Sequence, residues 1–157
     1  VVRDLIGRLR PVGLDELGLR AALEHFLNDW RRRLPDLEFD VRLEGDLDGV
    51  SEGLALALYR LLQEGLTNVS KHSRAGRVEV RLLRAGAQPR GDEIVLSLVD
   101  DGCGTDLRER QRGLGLIGMR ERVEMLGGEF HVTTEPARGF GIFARIPALP
   151  LAQAAAT

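Results

Sequence analysis

Cysteine is almost absent from this 157-residue chain: Cys103 stands alone. An internal disulfide framework and a multi-cysteine metal site are therefore excluded, and the usage fits a reducing compartment. Long apolar runs are missing too. The stretch IVLSLV at 94–99 has the length of a strand, far short of the roughly 20 residues that span a bilayer. Neither sign of charge dominates. The 22 Lys and Arg against 24 Asp and Glu leave a formal charge of −2, so no global field draws the chain to nucleic acid or to an anionic membrane. The first residues, VVRDLIGRLRP, are too charged for a secretory leader. No Gly-x-x-x-x-Gly-Lys-Ser/Thr stretch occurs, which excludes an ordinary P-loop nucleotide site. No internal repeat is visible.

What is there is an ordinary globular mixture, 43% apolar and 29% charged, long enough for one domain with a real core. Val2, Leu5, Ile6 and Leu9 recur at helical spacing up to Pro11, as the end of a helix entering from upstream. LDELGLRAALEHFLNDWRRRL (14–34) predicts an amphipathic helix, with Leu19, Ala22, Leu23, Phe26, Leu27 and Trp30 on one face and Arg31 to Arg33 at its negative end. LEFDVRLEG (37–45) alternates with period two, hence a strand. Ser51 is placed to cap a helix running to about Ser73. GRVEVRLLRA and DEIVLSLVDD flank the turn-rich GAQPRG as a hairpin. A glycine-rich start opens a helix in GLGLIGMRERVEMLGG, with Ile117, Val123 and Leu126 expected inward and Gly-Gly as its stop. Two more strands close the pattern in EFHVTTEPARGFGIFARIP. The expected fold is α+β: a two-layer sandwich with helices on one face of a mixed, mostly antiparallel sheet. The expected organisation is an upstream helix end and junction at 1–13, one domain at 14–148 and a tail at 149–157.

Chemistry concentrates in three places. In LLQEGLTNVSKHSRA (61–75), Glu64, Asn68, Lys71 and His72 fall on one stripe, and Leu58, Leu62, Leu66 and Val69 on the other, at about 100° per residue. Glu64 and Asn68 supply hard oxygens of the kind Mg²⁺ takes alongside phosphate and water; Lys71 can neutralise phosphate as a point charge. A solvated helix face explains the same residues, and the dipole explains Lys71 and His72 near a C-terminus. In LVDDGCG (98–104) an apolar strand ends in Asp100 and Asp101, followed by Gly102 and Gly104. Asp100 can accept a hydrogen bond from an exocyclic amine such as adenine's; a β-turn with solvated aspartates is the plain alternative. In RGLGLIGMRERV (112–123), Gly113 and Gly115 precede a helix whose first amides are unpaired, an anion site, with Arg112 and Arg120 nearby. A capped helix packed through small residues reads equally well. Gly139 and Gly141 around Phe140 mark a bend at a strand start. His25 and His131 read as exposed or structural, and Cys103 has no cation beside it to make it a nucleophile.

In this order and spacing the three places together resemble the ATP-binding catalytic domain of sensor histidine kinases, within the superfamily shared with gyrase, Hsp90 and MutL ATPases. LLQEGLTNVSKHSRA looks like the N box, VDDGCG like the first glycine box, and GLGLIGMRERVEMLGGEF like the second. LRPVGLDELGLRAAL looks like the junction of the subclass that includes nitrate-sensor and membrane-thermosensor kinases, and the short TDLRERQR suits its abbreviated ATP lid. The resemblance covers about residues 8–148. It implies ATP and Mg²⁺ as cofactors. Asn68 would hold the metal against the triphosphate, with Glu64 beside the metal or polarising the attacking group. Lys71 and His72 would face phosphates, and Asp100 would receive the adenine amine, with Gly102 and Gly104 letting the base approach. Gly113, Leu114, Gly115 and Leu116 would form the lid's end and the phosphate-facing helix start.

The same resemblance implies γ-phosphoryl transfer to a histidine on an upstream dimerisation domain, then to an aspartate of a response regulator with a helix-turn-helix output. It implies a cytoplasmic domain, no direct nucleic-acid binding, and a homodimeric parent that can be anchored in the inner membrane. Two departures stand out. Ile142 follows Gly141 where the family's closing motif carries Thr, and no His in the chain sits in a phosphoacceptor box. A non-catalytic nucleotide-binding docking module and an anti-sigma-factor-type serine kinase are the alternatives that stay open.

Overall fold

Alternation of apolar and polar residues along five segments, broken by two longer helical stretches and a short one, sets the architecture. The computed structural model describes residues 13–86, 91–103, 115–134 and 139–148. In chain order it contains α1 (Leu14–Arg33), β1 (Glu38–Glu44), α2 (Glu52–Asn68) continued by a π-helical turn (Val69–Ser73), β2 (Arg77–Ala85), β3 (Glu93–Asp100), α3 (Leu116–Met125), β4 (Glu129–Thr134) and β5 (Phe140–Pro147). Among these residues the element order is the one the sequence predicts; the helix end expected within 1–12 and the tail expected at 149–157 lie outside the described residues.

The strands form one sheet in the order β1-β2-β3-β5-β4. β1 and β2 are parallel, and α2 is the crossover such a pair requires; the other three pairings are antiparallel. On β2, Val78, Val80 and Leu82 are buried, and on β3 so are Ile94, Leu96 and Leu98, which with Ile142, Ala144 and Ile146 of β5 make the sheet's inner face. Leu19, Leu23 and Leu27 of α1, Leu54, Leu58, Leu61, Leu62 and Leu66 of α2, and Leu116, Met119 and Val123 of α3 cover it. Helices therefore lie on one face of the sheet, as the period-two strands with one apolar side demand.

Local signals explain most boundaries. Ser51 caps α2: its Oγ accepts the Leu54 N–H at 3.2 Å. Gly127, at φ 77°, ends α3 in the left-handed region glycine tolerates. Three features differ from the sequence reading. α1 is bent at Gly18 (φ 84°, ψ 171°) rather than continuous. α2 ends in a π turn, where a spacing of 100° per residue no longer applies. Ile117 points outward at 58% exposure, and Leu116 and Met119 take the buried positions beside Val123.

Candidate functional site

At one end of the sheet, the C-terminal end of α2 meets the C-terminal end of β3. Asn68 and Asp100, 7% and 4% exposed, are the buried polar residues among those described. Burying an amide and a carboxylate is expensive unless both are hydrogen-bonded. Every buried side-chain polar atom among the described residues has such a partner. For Asp100, Oδ1 accepts the Gly102 N–H at 2.8 Å, and Gly102 itself is buried. Asp101 does something else: its Oδ1 accepts the N–H groups of Gly76 and Arg77, both at 2.9 Å, and fastens the start of β2. The twin aspartates thus separate into a buried acceptor and a turn clamp.

Gly139 backs this corner. Its φ is 94°, and a Cβ there would stand 2.2 Å from the Asp100 carbonyl oxygen. The sequence shows Gly139 only as a bend, because its neighbour on β3 lies far away in the chain.

Glu64 is exposed on α2, one turn before Asn68. Its Oε2 lies 3.0 Å from where a Gly115 Cβ would be, at the left-handed residue (φ 65°) that precedes α3. Glu64 is thereby brought to Gly115 and Leu116, at the positive end of α3, where the first amides have no intrahelical acceptor. Arg120 is committed elsewhere, donating to the Phe130 carbonyl at 3.0 Å with its guanidinium over the Phe130 ring.

Lys71 is exposed in the π turn and lines a groove of about 310 Å³ with Arg33, Pro35 and Arg74, beside the end of α1. His72 belongs to the π turn by its backbone, and its side chain lies outside the described residues, as do Gly104, Arg112, Gly113 and Leu114. His25 and His131 are exposed, as expected. Cys103 is exposed and forms no disulfide.

Glu64 and Asn68 each carry a side-chain oxygen of the kind Mg²⁺ takes, while among the described residues no three His, Cys, Asp or Glu side chains form a group that could hold a metal ion. A cation held here would complete its shell from phosphate and water.

This arrangement of N-box helix, aspartate-tipped strand and glycine-led helix over a mixed sheet defines a nucleotide-binding α/β sandwich. The chain belongs to the histidine kinase-, DNA gyrase B-, and HSP90-like ATPase family, whose model matches residues 53–150. It is 36% identical over 132 residues to the signal transduction histidine-protein kinase/phosphatase UhpB of Salmonella typhimurium, covering 84% of this chain and 25% of that protein. It is 33% identical over 147 residues to the histidine-protein kinase/phosphatase DegS of Brevibacillus brevis, and 32% identical over 151 residues to the sensor histidine kinase LiaS of Bacillus subtilis. Those matches cover 93% and 95% of this chain and 36% and 39% of the relatives, so it spans a quarter to two fifths of the curated relatives' length.

Among solved structures, the histidine kinase domain of the Erythrobacter litoralis EL346 blue-light activated kinase has the same fold (TM-score 0.64, 24% identity, covering 83% of this chain and 65% of that one). The mycobacterial sensor histidine kinase MprB is also similar (TM-score 0.58, 28% identity, covering 82% of this chain and 93% of that one). Among the described residues no helix is long and apolar enough to cross a membrane.

Proposed function

We propose that this chain is the ATP-binding catalytic part of a two-component sensor histidine kinase, presenting Mg²⁺-ATP for γ-phosphoryl transfer. The acceptor is a histidine on an upstream dimerisation domain, and the phosphoryl group then passes to an aspartate of a response regulator. The family match and relatives named as histidine kinases favour this over a non-catalytic docking module or a serine kinase.

The observation that carries the reading is Glu64 against Gly115 at the start of α3. A carboxylate beside those amides repels a triphosphate unless a divalent cation lies between them. Glu64 and Asn68 are the residues to hold that cation, with the α3 amides on phosphate oxygens. Asp100 accepts from the adenine amine while Gly102 and Gly139 keep the backbone free of side chains around it. Bound Mg²⁺ neutralises charge on the transferring phosphate; the protein's part is positioning. The domain works in the cytoplasm, with its parent homodimeric and able to be membrane-anchored.

Calorimetric titration of ATP, ADP and GTP, with and without Mg²⁺, tests this. ATP is expected to bind over GTP and to weaken by about tenfold or more without Mg²⁺. Asp100→Asn, which turns an acceptor oxygen into a donor, should erase the preference for adenine. Equal binding of ATP and GTP by the unaltered chain would overturn the adenine role, and labelling of a supplied dimerisation domain's histidine from ATP checks the kinase activity.

A further inference from the structure

Glycine is unfavourable against alanine inside a helix, yet Gly65 sits buried in the last turns of α2, immediately after Glu64 and three residues before Asn68. Its surroundings give the reason. A Cβ on Gly65 would lie 2.9 Å from Leu98 Cδ1 and 3.2 Å from Ile142 Cδ1. Leu98 and Ile142 are paired across β3 and β5, and the next inward pair along the same strands is Asp100 with Phe140. Gly65 therefore rests over the pair just before the one that contains Asp100; Asn68 follows about 4.5 Å further along α2, and Asp100 about 6.6 Å further along β3. By contrast Gly53, in the first turn of α2, has nothing within 4 Å of its missing Cβ.

We infer that Gly65 and Ile142 act as a positioning pair: the absent Cβ on α2, matched to the δ-methyl on β5, sets how closely α2 approaches the sheet and so the depth at which Glu64 and Asn68 face Asp100. The inference deepens the nucleotide-site reading and rests on it. It also gives Ile142 a role: with Leu98, its apolar side chain fills the space that a glycine on the helix leaves.

The test compares Gly65→Ala, Ile142→Val and the double variant, with Gly53→Ala as the control, in melting temperature and in Mg²⁺-ATP affinity. Ile142→Val removes the δ-methyl that a Cβ at 65 meets and gives Leu98 room to turn aside. Gly65→Ala is expected to weaken Mg²⁺-ATP about tenfold, the double variant to return to the affinity of Ile142→Val, and Gly53→Ala to bind as the unaltered chain does. A lower melting temperature in Gly65→Ala with unchanged affinity would make the contact merely structural and overturn the inference, as would a loss the second substitution does not rescue. Should Gly65→Ala not fold, the double variant against Ile142→Val decides in the same way. Failure of the unaltered chain to bind Mg²⁺-ATP would instead remove the nucleotide reading beneath, an outcome visible before any variant is made.

Discussion

Gly139 shows how a single missing side chain can be fixed by two independent demands. Its φ of 94° strains any L-residue, and a Cβ would stand 2.2 Å from the Asp100 carbonyl oxygen. Gly91 separates the two demands: its φ is 90°, but nothing lies within 4 Å of the Cβ position. Gly91→Ala should therefore cost only the backbone strain, about 1 kcal/mol. Gly139→Ala adds a collision with rigid backbone and should cost about 3 kcal/mol or more, displacing Asp100 with it. Urea denaturation of both variants checks this; equal losses would mean the β3–β5 pairing yields without strain. The sequence marks Gly139 only as a glycine before a strand. Its partner is 39 positions earlier, so no local pattern announces the contact.

Elements were more legible than their joints. Apolar periodicity gives every described helix and strand in order, and Ser51 and Gly127 mark their ends, because those forces act within a turn or two of chain. The break in α1 is different. Gly18 interrupts the helix, and Asp48 supplies the cap, its Oδ1 accepting the Arg20 N–H at 3.1 Å from 28 residues away. Arg20 answers by donating to the carbonyls of Leu43 and Gly45, both at 2.9 Å. A Cβ at Gly18 would meet Asp48 Oδ1 at 2.6 Å. Such a cap from another loop cannot be read from spacing. Nor can the π turn after Asn68, which breaks the stripe that joined Lys71 to Asn68 on an ideal helix. The phase of α3 departs from the spacing as well: the left-handed Gly115 starts the helix at Leu116, and Ile117 turns to solvent. Asp48→Ala should cost about 1 kcal/mol, as loss of an N-cap does, and Asp48→Asn, whose amide oxygen still accepts, should cost less. Hydrogen exchange at the Arg20 amide should quicken in the first variant. Unchanged exchange there would show that the cap contributes nothing.

For the molecule as a whole, the site and the fastening of the sheet lie at opposite ends of β3. At the end remote from Asp100, Arg84 holds Asp92 through two hydrogen bonds, Nε to Oδ1 at 3.0 Å and Nη2 to Oδ2 at 2.7 Å, and also donates to the Asp46 carbonyl at 2.8 Å. The Asp92 carbonyl accepts from Ala148 just beyond β5. One arginine therefore joins the β1–α2 connection to the start of β3, whose backbone secures β5. The Arg84 hydrogen bond holds the Asp92 carboxyl below its ordinary value, against the opposing effect of burial. A carboxyl whose pKa is lower folded than unfolded stabilises the fold above its unfolded value and loses that contribution as pH falls through its folded value. Asp92→Asn should thus be less stable by about 1 kcal/mol near neutrality, the scale of a well-formed, partly exposed ion pair. The difference should shrink below about pH 4, where the unaltered carboxyl begins to protonate in the unfolded chain. Urea denaturation from pH 7 to pH 3 measures both limbs. A deficit constant across that range would assign the loss to packing rather than charge. Because the pair is remote from Asn68 and Asp100, Mg²⁺-ATP affinity in Asp92→Asn should stay at its original value. A weakened affinity would mean that strain at the fastened end of the sheet reaches the site along β3, the strand that carries Asp100.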